Sequence, residues 1–192
     1  MLAARSEKRF TVSEYFELEE TSEIRHEFYK GEVFAMAGTS LNHNDIVDNT
    51  KRIIKDTFAP QGCRTFSESV KLEVIRDVYY PYPDIMLTCH PDDVQAQFVV
   101  RQPTLIVEVL SKSTADHDRS FKWQQYQRMP SLMHYLLVSQ YEYHIELYSR
   151  NVHFWKYEVF DKPDQVLSLE HIALSLPLSA IYENIVFTPA NE

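Results

Sequence analysis

Glu108 is a carboxylate in an expensive place, with Leu105, Ile106 and Val107 before it and Val109 and Leu110 after it. Such a run predicts an interior strand covered on both faces. An ionised group there needs a partner charge, hydrogen bonds or a metal. Asp84 poses the same question ahead of Ile85-Met86-Leu87, and Pro83, which loses no ladder bond at the start of a strand, fixes the approach to it. If the two strands are neighbours, the two acids can share a cation. Carboxylates are hard oxygen ligands suited to magnesium or manganese. A cation held there acidifies water and neutralises charge on a phosphodiester. A nearby lysine would orient that water or stabilise the charge developing on phosphate. The competing readings are a strand-initiating turn acid for Asp84 and a buried structural ion pair for Glu108.

These acids need elements to position them. Thr11 or Ser13 caps a short helix over 12–20. Residues 24–29 and 32–37 alternate as a hairpin around Lys30-Gly31. Ile46, Thr50, Ile53, Ile54 and Phe58 share one face of a helix over 41–58, ended by Pro60 and Gly62. Residues 64–75 alternate as a half-buried strand, 84–88 and 104–110 are core strands, and 89–102 is a polar loop whose Val-rich end can pair as an edge. His90, Asp92 and Asp93 read as part of that solvated loop. Ser113-Thr-Ala-Asp116 resembles a capping box and opens a helix through about Arg128, stopped by Met129-Pro130. Strands follow at 133–138, 143–148 and 152–160, and a short helix at 178–183. The class is α/β, a mixed central sheet flanked by helices, with an N-terminal hairpin and C-terminal antiparallel strands. With no linker, repeat or low-complexity segment, 1–192 reads as one domain.

Composition narrows the function. A net charge of −9 gives no general attraction to nucleic acid, so contact with DNA would need a local basic groove. It does not exclude a nuclease, whose metal site requires acids. Gly31, Gly38 and Gly62 are the only glycines and supply no GxGxxG, phosphate loop or GxSxG elbow. The histidines give no HExxH spacing. Cys63 and Cys89 form no CxxC and read as reduced thiols of a cytoplasmic protein. No apolar run approaches the ~20 residues of a membrane helix, and the first ten residues lack the apolar core of a signal peptide. The aromatics of the last third are core or edge packing, and their number also suggests a subunit interface.

Pro83-Asp84, followed after a spacer by Val107-Glu108-Val-Leu-Ser111, resembles the PD-(D/E)xK nuclease superfamily. The chain more closely resembles the Uma-type restriction endonuclease family, long a domain of unknown function. That family's pattern is matched in order by Gly31-Glu32, His43, Pro83-Asp84, Glu108-Val-Leu-Ser111, Asp118, Lys122 and Tyr126, over roughly 12–150. The resemblance implies a restriction-endonuclease-like core and a magnesium- or manganese-dependent endonuclease acting on DNA. Asp84 and Glu108 would be metal ligands, Lys122 the lysine that Leu110 fails to supply, and Glu32 and His43 accessory residues. Asp118, Lys122 and Tyr126 fall at i, i+4 and i+8 of one helix. Otherwise Lys122 is a solvated lysine paired with Asp118, Glu32 an exposed hairpin residue, and His43 a surface histidine. Two strand cuts need two sites, so fold analogy implies a homodimer. The alternative function is a non-catalytic binding or regulatory module that keeps the nuclease fold.

Overall fold

The structure is a computed structural model that describes residues 8–36 and 38–187. Helix α1 (Val12–Thr21) starts at a complete capping box, the Thr11 hydroxyl accepting from the Glu14 amide while the Glu14 carboxylate takes the Thr11 amide. The hairpin is β1 (His26–Tyr29) and β2 (Glu32–Ala35) around Lys30-Gly31, both at positive φ; Ala37, at the expected end of its second strand, lies outside the described residues. Helix α2 (Leu41–Phe58) has the expected bounds and buries Ile46, Val47, Ile54 and Phe58; Ser40 caps it through the His43 amide.

The half-buried strand expected over 64–75 is corrected to two pieces. β3 (Arg64–Ser67) ends at Glu68, whose φ of 49° turns the chain out of the ladder. β4 (Lys71–Leu72) then belongs elsewhere, pairing in parallel with β7. Next come β5 (Tyr79–Tyr80) and β6 (Ile85–Thr88). The polar loop over 89–102 contains α3 (Pro91–Gln95) and the edge pair β7 (Val99–Val100). It is not a solvated loop at Asp93, which is buried and accepts from Thr88 Oγ1 and the Arg101 and Gln102 amides, closing the segment on itself.

After β8 (Leu105–Leu110) the chain enters α4 (Ala115–His117), passes through a π-helical turn (Asp118–Lys122) and continues as α5 (Trp123–Tyr126). The expected cap at Ser113 is not the one formed: the Thr114 amide goes to Ser111 Oγ and the Ala115 amide to Ser111 O. β9 (His134–Ser139), β10 (Ile145–Arg150) and β11 (Trp155–Phe160) form the C-terminal antiparallel strands. A hairpin that the sequence reading missed, β12 (Val166–Leu169) and β13 (Leu174–Pro177), precedes α6 (Leu178–Ile181).

The central sheet has the order β11-β10-β9-β8-β6-β3, parallel only between β8 and β9, and is therefore mixed. Strand alternation divides its side chains between two cores. Ile85, Leu87, Leu105, Val107, Val109 and Leu136 face α2 and the β12–β13 hairpin. Met86, Ile106, Leu110, Tyr135 and Leu137 face the side that holds Tyr126, Met129 and Leu132. Glu108 shares the parity of Ile106 and Leu110, so it points toward the π turn.

The expectation of two reduced thiols is corrected. Cys63 and Cys89 are disulfide-bonded, with Cα atoms 4.2 Å apart. β3 pairs with β6 antiparallel, Arg64 opposite Thr88, and one further step outward sets Cys63 against Cys89. The pairing is a product of register, invisible in the spacing of two lone cysteines. No helix among the described residues is long and apolar enough to cross a membrane.

Candidate active site

β6 and β8 run antiparallel with Ile85 opposite Val107 and Met86 opposite Ile106. Extending that register one step sets Asp84 against Glu108, which explains why both acids precede or interrupt apolar runs. Asp84 is fixed by its neighbours. Its Oδ2 accepts the Val109 amide at 2.6 Å and lies 3.3 Å from His43 Nε2, and its carbonyl accepts the Glu68 amide at 3.2 Å. Just upstream, the Tyr82 hydroxyl donates to Glu19, a buried carboxylate that also takes the His26 amide at 3.0 Å and sits 3.7 Å from Lys71. This network anchors the chain as it enters Pro83-Asp84.

Glu108 is 3% exposed. Its Oε1 accepts from Lys122 Nζ at 3.1 Å and from the Tyr126 hydroxyl at 2.9 Å. Lys122 also lies 3.1 Å from Asp118 and 3.6 Å from Glu27. The π turn contributes to this convergence. In an α-helix each four-residue step overshoots a full turn by about 40°. The wider π turn reverses that drift over the first step, so Asp118, Lys122 and Tyr126 stay in line. Tyr135 secures the turn by donating to the Asp118 carbonyl.

The charges are unbalanced. Among the described residues, Glu27, Glu108 and Asp118 share Lys122, Asp84 and Glu68 lie beside His43, and neither Asp84 nor Glu68 pairs with a lysine or arginine. Burial pushes the Glu108 carboxyl well above the usual carboxylate range, against the pull of Lys122. Burial pulls the Lys122 ammonium down, yet Glu108, Glu27 and Asp118 more than offset it and hold it well above the ordinary lysine value. At His43, burial is outweighed by the hydrogen bond and charge of Asp84, with Glu68 and Asp118 adding, so its imidazole is raised.

A divalent cation fits this imbalance. One ligand atom from each of His43, Glu68 and Asp84 lies within 4.8 Å of the others, and Oε2 of Glu108 has no hydrogen-bond donor among the described residues. Of the residues singled out in the sequence, Asp84, Glu108, Lys122 and His43 are thus brought together. Glu32 is placed beside Arg9, at 3.8 Å. Sequence reasoning missed Glu68 and Glu27. The signal for Glu27 was its alternation with Tyr29, which packs on the π-turn side of the sheet. For Glu68 it was the Ser67-Glu68-Ser69 break ahead of the alternation at Val70.

Two proteins of Synechocystis sp. (strain ATCC 27184 / PCC 6803 / Kazusa) resemble the chain. Uncharacterized protein slr1290 is 32% identical over 180 residues, covering 93% of this chain and 94% of that one. Uncharacterized protein sll1609 is 32% identical over 152 residues, covering 78% and 86%. The fold matches the crystal structure of "a putative nuclease belonging to DUF820" from Anabaena variabilis ATCC 29413, with a TM-score of 0.73 at 18% identity over 92% of this chain and 99% of that one. The model of the Uma2 family, described as "Putative restriction endonuclease", matches residues 12–179. The chain belongs to the Uma2 family.

Proposed function

We propose that the protein is a divalent-metal-dependent endonuclease that hydrolyses DNA phosphodiester bonds. The observation that carries this reading is the pairing of buried Glu108 with Lys122 on one side and Asp84 on the next strand, in a cluster with more carboxylates than cations. Asp84 and Glu108 hold Mg2+ or Mn2+ in this reading. When bound, such a cation supplies charge neutralisation at the phosphodiester and acidification of water. Lys122, kept charged by its three carboxylates, orients the attacking water and offsets charge developing on phosphate. Tyr126 holds the Glu108 carboxyl in position through its hydroxyl. His43, hydrogen-bonded to Asp84, and Glu32 are accessory.

A second reading, a binding or regulatory module that keeps the fold, is favoured by one feature: Lys122 already pairs with Glu108 inside the protein. Plasmid and single-stranded DNA incubated with Mg2+, Mn2+ or chelator, beside Asp84→Asn and Glu108→Gln, separates the two. Cleavage that needs metal and falls at least about 100-fold in both variants is expected. Cleavage unchanged in both variants would remove the assigned site. No cleavage of either substrate and no metal binding would favour the module.

A further inference from the structure

The six-stranded sheet ends at β11, which is paired with β10 on one side and, among the described residues, with no strand on the other. An edge of six residues usually carries devices against pairing. This one carries two charges, and between and beyond them displays Tyr157 at 52% and Val159 at 41% exposure, with Phe154 at 60% in the turn before it. Its two charges, Lys156 and Glu158, project from the same face and lie 2.8 Å apart.

We propose that β11 pairs antiparallel with β11 of a second copy, about a twofold axis at Tyr157, so that two central sheets become one. The partner follows from self-complementarity. A twofold axis normal to the sheet keeps each side chain on its own face, so facing residues share parity. Centred on Tyr157, the pairing sets Lys156 against Glu158 of the second copy, and Glu158 against its Lys156. Trp155 meets Val159, and Tyr157 meets itself. Centring on Lys156 would face lysine with lysine, and centring on Glu158 would face glutamate with glutamate. Like charges directly opposite destabilise a strand pair, so charge favours the Tyr157 register over the two on either side of it. The inference is independent of the nuclease reading.

Sedimentation of the full chain tests it. Wild type is expected at twice the 22.7 kDa chain mass. Lys156→Glu or Glu158→Lys alone, each facing like charges twice, should weaken dimerisation at least about tenfold, and the double reversal should restore it. A wild type that stays monomeric at ~100 μM, single reversals that dimerise as well as wild type, or a double reversal that fails to recover overturns the proposal. Register has its own measurement. Cys63 and Cys89 are bonded to each other, so Tyr157→Cys adds the one free thiol of the described chain. At the twofold axis it faces its own copy within disulfide reach, and it should cross-link on mild oxidation, whereas Lys156→Cys should not. Equal cross-linking of both, or of neither, overturns the register. Circular dichroism confirms that each variant is folded.

Discussion

Lys122 is the only lysine or arginine paired with Glu27, Glu108 or Asp118 among the described residues, so its removal tests stability before it tests chemistry. Lys122→Met should destabilise the fold by about 3–5 kcal/mol, measured by urea unfolding, because it leaves buried carboxylates without a counter-charge. Glu108→Gln should cost far less. It removes one like charge, keeps a hydrogen-bond acceptor for Tyr126, and should leave stability within about 1 kcal/mol of wild type while abolishing cleavage. A large stability loss in Glu108→Gln would recast Glu108 as a structural ion-pair member. Glu108 was legible because charge inside an apolar run is anomalous on its face. Lys122 was legible only through family resemblance, since a helical lysine four residues from an aspartate looks like an ordinary surface pair. Glu27 and Glu68 gave no such anomaly, because neither interrupts an unbroken apolar run and only long-range pairing brings them to the site.

At the scale of elements, β9 carries a test. On β9, burial and then His171 lower the pKa of His134 to about 4. The folded chain holds this imidazole neutral while the unfolded chain protonates it near 6.5. Its contribution to stability is therefore intact above pH 6.5 and is lost as pH falls toward 4, by about 3 kcal/mol in total. Urea midpoints measured across that range should fall less steeply in His134→Asn; identical slopes would assign the acid limb to other groups. The long elements were readable because periodicity specifies them. The β12–β13 hairpin and the break after β3 were not, because Ala173 and Glu68 adopt positive φ where a glycine would have announced the turn.

For the whole molecule, the sheet order was beyond the sequence even though most of its strands were not. Which strand lies beside β8 depends on contacts between distant residues, and the same is true of the disulfide. Replacing both Cys63 and Cys89 by serine releases a loop closed over a separation of 26 residues and should cost about 3 kcal/mol in the chain-entropy account. Unfolding midpoints with and without reductant check it: reductant should lower the wild-type midpoint and leave the double variant unmoved. The two ends of the sheet differ in length. β3 is four residues long, and Arg64 at its start reaches away to the carbonyls of Val94 and Ala96, while β11 offers six residues. A short edge is a poor template for another strand. Assembly through β11, as proposed, would consume the longer of the two edges of this six-stranded sheet, and its growth would end at two chains instead of continuing as a fibre.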